Sequence, residues 1–389
     1  MKLVLKSVSA ACALLLLAAL PAAHAQNDVL SKVNQDADAS EAKRAEYWTP
    51  QRFAAAKPLE LPMAKAEAQP QDLTVLPAPI TGEPASSPAQ APSAEPVPVI
   101  EQLFIPAAGI ENLIGSATPT PQDTGTSGAR FTSTRVTPLF TGAAGQYSAD
   151  RSYPYRTVGK LFFSIDGQPY VCSASIINRR VIATAGHCVH SGRGGIAGFF
   201  SNWVFVPAYR DGTAPYLRWN WRQVTVTSTW ATGGGGVPNA ADYAMIVLGD
   251  QPVTRGGPRV RIGAYLGWLG WQTLNLFPNH TSKLGYPCNL DRCEKMQNIT
   301  SQSYQRAANN TVQYGSDARG GSSGGPWVKN FSITADGGAT GLDPDPNRVV
   351  GITSYGYNDA RKVQGASIPD NRWVAVWNAV CAGAGNCAP

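Results

Sequence analysis

Charged residues are scarce in this 389-residue chain, at 15%, and histidine occurs only four times. Lysine and arginine outnumber aspartate and glutamate by six. The basic residues stand singly and form no stripe, however, so the footprint of a nucleic-acid-binding surface is missing. Past residue 20 no apolar run reaches the roughly 20 residues that a membrane-spanning helix needs. The cysteines show no C-x2-C couples and the histidines no H-x3-H spacing, so no metal site is expected. No cofactor is expected either, and no internal repeat is visible.

What is present begins with the first 25 residues. Lys2 and Lys6 precede an apolar run from Val8 to Leu20, and Ala23-His24-Ala25 follows. That is the pattern of a secretory signal peptide over residues 1–25, and the run is too short for a membrane anchor. A secreted product, extracellular or periplasmic, is expected to hold its cysteines as disulfides. Cys12 leaves with the signal, and six remain. Many connectivities are open to six cysteines, but their local grouping favours Cys172 with Cys188, Cys288 with Cys293, and Cys381 with Cys387.

Composition then divides the chain near residue 130. Residues 1–130 carry 9 Lys/Arg against 13 Asp/Glu, and residues 131–389 carry 23 against 13. An acidic leader thus precedes a basic body, and the opposite signs favour their association. Residues 26–130 are rich in Ala, Pro, Gln and Glu, so most of the leader is expected to be extended or disordered. One island differs: EAKRAEYWTPQRFAAAKPLEL holds Tyr47, Trp48 and Phe53 and is suited to folding against a partner surface. A bare stalk and a pro-segment that covers an active site, as inhibitor or folding aid, are the two alternatives for it.

The body, residues 131–389, is built from short β-branched bursts between turn residues, such as Gly159–Ile165, Val171–Ile177, Trp203–Val206 and Val349–Thr353. Such spacing indicates an all-β barrel or sandwich. Near the end, Trp373, Val376, Trp377 and Val380 share one helical face after Pro369 and Asp370, which predicts one closing helix. About 260 residues suffice for a single two-barrel domain.

Three boxes carry chemistry. Gly321-Ser322-Ser323-Gly324-Gly325-Pro326 surrounds a serine with glycines, which lets the backbone N–H groups of Gly321 and Ser323 point at one oxygen. His187 follows a strand-like run in Thr184-Ala185-Gly186-His187-Cys188, and Asp242 heads the apolar run Ala244–Leu248. A serine hydroxyl needs a base to take its proton and a carboxylate to orient that base. His187, Asp242 and Ser323 lie in that order, 55 and 81 residues apart. His190, Asp250 and Asp211 are rivals that lack the surrounding pattern.

The T-A-G-H-C box followed by G-S-S-G-G-P resembles the trypsin and chymotrypsin family of serine proteases. The longer string Gln313–Ser323, with the leader's YWTPQRF, is closest to the bacterial V8-like, or glutamyl endopeptidase-like, group. The resemblance implies a chymotrypsin-like double six-stranded β-barrel with a C-terminal helix, a catalytic triad of His187, Asp242 and Ser323, and an oxyanion hole of Gly321 and Ser323. It implies that Cys172 bridges Cys188, and that the substrate-binding residues are Asp317, Thr353, Ser354, Tyr355 and Gly356. Protein or peptide substrates are the implied partners, with the leader as a pro-segment. Trypsins place an Asp immediately before the serine, to pair with a freed amino terminus; here that position is Ser322, so activation by that pair is not expected. V8-like members use a pocket-strand histidine for acidic P1 side chains, and Gly351–Gly356 has none. Asp317 tips the expectation slightly toward basic P1. A catalytically silent binding or adhesion protein, with Trp219, Trp221 and Trp230 as exposed contacts, is the alternative function. An esterase with G-x-S-x-G and the order Ser, Asp, His does not match.

Overall fold

The computed structural model describes residues 28–35, 46–65, 82–106, 126–136, 138–142, 145–332, 345–357 and 361–388. The signal segment lies outside them. Six strands form the first barrel: β1 (Val158–Ile165), β2 (Gln168–Ile176), β3 (Val181–Thr184), β4 (Ser201–Pro207), β5 (Trp219–Thr227) and β6 (Ala244–Leu248). Each pairs antiparallel with the next around the ring β1-β2-β3-β6-β5-β4, and β4 returns to β1. Closure leaves no free edge, so nearly every side chain of these strands is covered; all five residues of β6 are buried.

The second barrel consists of β7 (His280–Gly285), β8 (Gln297–Ala307), β9 (Thr311–Gly315), β10 (Pro326–Lys329), β11 (Arg348–Tyr357) and β12 (Val363–Ser367). Its ring is β7-β8-β9-β12-β11-β10, again antiparallel and closed. The two rings have the same strand order, a duplication that the sequence does not display.

Two helices matter for the site. Helix α1 (Pro50–Ala54) lies in the leader, with Thr49 accepting the Arg52 N–H as its N-cap. Helix α2 (Asn371–Cys381) closes the chain; Asp370 caps it, and Trp373, Val376 and Val380 are buried while Trp377 is partly covered. Trp373 stacks edgewise on Tyr243, whose hydroxyl donates to Asp370 Oδ1 at 3.0 Å. No helix among the described residues is long and apolar enough to cross a membrane.

The described parts of the leader are packed on the body. Residues Val29–Val33 add an antiparallel strand to β5. Trp48 and Phe53 are buried, stack on each other at 4.9 Å, and meet Phe162 of β1 edge to face. The Pro/Ala-rich stretch 82–106 is extended and laid against the body through short pairings, Ser86–Ser87 with 271–272 and Glu101–Gln102 with Thr213–Ala214. Glu95 pairs with the fully buried Arg156, and Glu101 with Arg218 at 3.1 Å, so leader acids meet body bases. The compositional boundary at residue 130 falls inside a hairpin: Thr126–Gly128 turns into Phe131–Arg135, which pairs with β8. The three disulfides are Cys172–Cys188, Cys288–Cys293 and Cys381–Cys387.

Candidate active site

His187 sits where β3 ends. The chain turns at Ala185 and Gly186 into a single 3-10 turn, Gly186–Cys188, and the Cys172–Cys188 disulfide ties that turn to β2. Closing a loop of that length contributes about 3 kcal/mol on the chain-entropy estimate. A side chain at residue 186 would stand 3.0 Å from Asp242 Oδ1 and from the Trp230 ring, so glycine there lets the turn close on the carboxylate. Asp242 is fully buried just ahead of β6. Its Oδ1 accepts the His187 backbone N–H at 2.8 Å, and its Oδ2 faces His187 Nδ1 at 2.8 Å. A third bond, from Ser354 Oγ, reaches Oδ2 at 2.6 Å. Charge-assisted bonds of this kind offset the cost of burying a carboxylate. Because the carboxylate accepts, Nδ1 carries the proton and Nε2 is left with a lone pair.

Ser323 is brought to this turn by its neighbour. Gly324 has φ +80°, and a Cβ on it would lie 2.1 Å from Thr184 Oγ1 and 3.0 Å from Ala185 N, so only glycine allows the approach. The Ser323 carbonyl accepts the Ser173 N–H of β2 at 2.7 Å. Ser323 is fully buried and His187 is 6% exposed. Among the described residues, neither Ser323 Oγ nor His187 Nε2 has a hydrogen-bond partner. Ser323 thus lies next to a glycine packed on the turn that carries His187, and both side chains keep a buried polar atom unengaged.

The oxyanion-hole candidate Gly321 has φ +89°. The preceding carbonyl, of Gly320, accepts the Cys288 N–H at 2.8 Å, which turns the Gly321 N–H the opposite way, toward the cleft. There it donates to the carbonyl of Leu59 at 3.3 Å. Residues 57–64 of the leader cross the cleft as a strap. Lys57–Pro58 pair parallel with Tyr170–Val171 of β2, Leu59 N donates to Val171 O at 3.0 Å, and Met63–Ala64 pair parallel with Gly356–Tyr357 of β11. Leu61 is buried against Gly356, whose N–H donates to Pro62 O at 3.0 Å.

The remaining sequence-named residues are placed as follows. Asp317 Oδ2 accepts from Thr126 Oγ1, and Oδ1 is buried without a hydrogen bond. Thr353 Oγ1 accepts the Trp327 Nε1–H at 2.8 Å. The Ser354 side chain is turned onto Asp242, so it braces the Asp242–His187 pair. Tyr355 lays its ring over Gly365 and bonds Thr311 through its hydroxyl, while Gly356 meets the strap directly. His190, the rival base, is a loop brace: Nδ1 accepts from Gly192 N and Nε2 donates to Gly195 O. Burial holds its pKa below the usual histidine value. Asp250 pairs with Arg180 and Asp211 with Lys295. Trp219 and Trp230 are buried and Trp221 is half-buried against the core, so these three are not the exposed contacts expected of a binding protein. Cys172, His187 and Cys188 form the one tight group of metal-type donors among the described residues, but the two sulfurs are bonded to each other. Sequence reasoning missed Ser173, Asn289 and Gln364, none of which sits in a motif.

No protein-family profile matches the chain. Two curated relatives do. A glutamyl endopeptidase of Bacillus licheniformis is 27% identical over 212 residues, 52% of this chain and 58% of the relative. An extracellular metalloprotease of Bacillus subtilis is 26% identical over 192 residues, 48% of this chain and 56% of the relative. The chain resembles V8-like serine proteases. It spans less than two thirds of the length of either relative. Among solved structures, the protease Anisep of Arthrobacter nicotinovorans is 26% identical with a TM-score of 0.48, over 59% of this chain and 96% of its own. A Glu endopeptidase structure is 21% identical with a TM-score of 0.45, over 63% and 97%. Thr353 and Ser354 stand on β11, Arg348–Tyr357, which has no histidine.

Proposed function

We propose that this chain is the precursor of a secreted serine endopeptidase that cuts peptide bonds through an acyl-enzyme. The observation that carries the proposal is the buried Asp242–His187 pair on a turn against which Gly324, next to the unengaged Ser323 hydroxyl, is packed. Ser323 Oγ attacks the substrate carbonyl carbon as its proton passes to His187 Nε2, and Asp242 stabilises the imidazolium that results. The negative charge on the former carbonyl oxygen is taken up by the N–H groups of Gly321 and Ser323; one such donor is worth about a hundred- to a thousandfold in rate. Nε2 then protonates the leaving amine. Water, deprotonated by His187, attacks the acyl carbon and frees Ser323.

Residues 131–389 are proposed as the protease domain and residues 26–130 as its pro-segment, after a signal peptide of residues 1–25. The strap supports an inhibitory role for the pro-segment. Leu59 places a carbonyl on the Gly321 N–H, where the oxyanion would form, and Leu61 covers Gly356. Trp48 and Phe53 anchor the strap on the first barrel. Protein or peptide substrates, paired through backbone along β11, are the partners once the strap has left. Purified secreted protein with Ser323→Ala should be folded and lose peptide hydrolysis by several orders of magnitude; retained hydrolysis would reject the proposal.

A further inference from the structure

We propose that Gln364 is the positioning residue that holds the oxyanion loop, residues 316–322, in its working shape; this rests on the serine-peptidase function proposed above. Gln364 lies on β12, between β9 and β11, and is 1% exposed. Its side chain bonds the loop at the start, the middle and the end. Oε1 accepts from Ser316 Oγ at 2.8 Å, and Nε2 donates to Ala318 O at 3.2 Å and to Ser322 Oγ at 2.9 Å. A neutral amide offers two N–H groups and one strong acceptor, and all three are used. Ser322 Oγ in turn donates a hydrogen bond to Arg319 O at 2.7 Å, so the bonding continues through the loop.

From the solvent side a second amide answers the first. Asn289, inside the Cys288–Cys293 loop, donates to Asp317 O at 2.9 Å and accepts from Arg319 N at 2.8 Å. Cys288 N holds Gly320 O, and Ser173 Oγ holds Gly321 O at 2.9 Å. The loop is therefore gripped at residues 316 through 322, and the Gly321 N–H is aimed at the cleft while the leader is still attached. An oxyanion donor acts only where its direction is fixed before charge develops. Here Ser322, at the position where trypsins carry an Asp, is bonded by the uncharged Gln364. The loop needs no new terminus to take shape, so the precursor is restrained by the strap that occupies the site.

Two readouts test this in the whole protein. Hydrogen exchange on the Gln364→Leu precursor should show the amides of residues 316–323 exchanging at least about tenfold faster, with β9 and β11 protected as in the parent. In the secreted mature form, kcat should fall about ten- to a hundredfold with KM within about twofold, and a peptide aldehyde that forms the tetrahedral adduct should lose affinity by the same factor. Ser322→Ala, which removes one of the three contacts, should give a smaller loss in the same direction and serves if Gln364→Leu does not fold. Unchanged exchange at 316–323 in either folded variant overturns the role of Gln364, whatever happens to activity. If the parent protein hydrolyses no peptide at all, the peptidase function fails, while the exchange measurement still decides the positioning role.

Discussion

Ser354 Oγ donates a 2.6 Å hydrogen bond to Asp242 Oδ2, joining two residues 112 positions apart and two different barrels. The bond makes the second barrel part of the machinery that orients His187. A hydrogen bond to a buried charged group is worth roughly 1.5–3 kcal/mol. Ser354→Ala should therefore lower kcat/KM by about tenfold or more while the disulfides and barrels remain, as steady-state kinetics and circular dichroism would report. An unchanged kcat/KM would mean that Asp242 is held well enough by the His187 turn alone.

The strap should act in trans. A synthetic peptide covering residues 46–65 should inhibit the mature enzyme competitively, since Leu59 and Pro62 bond Gly321 and Gly356 in the cleft. Replacing both Trp48 and Phe53 by Ala should weaken that inhibition by at least about tenfold, because each buries an aromatic ring whose loss typically costs a few kcal/mol. Equal potency of the two peptides would place the anchor elsewhere.

Asp317 makes a statement about side-chain preference. Its Oδ1 is buried without a hydrogen bond, an acceptor that a cationic P1 side chain would satisfy. Cleavage of a peptide library by the mature form should favour Arg or Lys at P1, and Asp317→Asn should reduce kcat/KM on those sequences by about tenfold or more. A strong preference for Glu would contradict the assignment.

His190 gives a pH dependence whose sign follows from its bonds. Burial disfavours the charged ring and outweighs the bond to Gly195 O, and Nδ1 accepts from Gly192 N, so a proton added there would face a donor. The pKa is thus lower in the folded state than the roughly 6.5 of an unfolded chain. The unfolded state takes up the proton first as pH falls, so the contribution of His190 is intact above about pH 6.5 and is lost below it, down to the folded-state value. Urea denaturation at pH 7.5 and 5.5 should show a larger drop for the parent than for His190→Gln. A larger drop in the variant would reverse the sign.

Much of the site was legible because its chemistry is local. T-A-G-H-C and G-S-S-G-G-P each place a candidate side chain next to the glycines and the cysteine that fix it, so a short string records the whole turn. The strands were legible from their β-branched bursts, and the closing helix from its spacing. The shared ring order of the two barrels was not, since closure demands only inward and outward fit at each position and many sequences meet that demand. The residues that hold the site in place were also hidden: Gln364, Asn289 and Ser173 act across 28 to 148 positions through hydrogen bonds that leave no local pattern. The stretch 82–106 offers little apolar surface, so composition marked it as coreless. It is nevertheless held by backbone pairings and a few anchors such as Leu103 and Glu95, which composition does not count.

The central claim is that Ser323 is a nucleophile activated by His187. Treating the mature secreted protein with a peptidyl phosphonate and mapping the adduct by mass spectrometry tests it most directly. One phosphonyl group should be found on Ser323, with labelling reduced by at least about a thousandfold in His187→Ala and hydrolysis lost in step with labelling. Hydrolysis that continues at full rate while Ser323 stays unmodified would contradict the account.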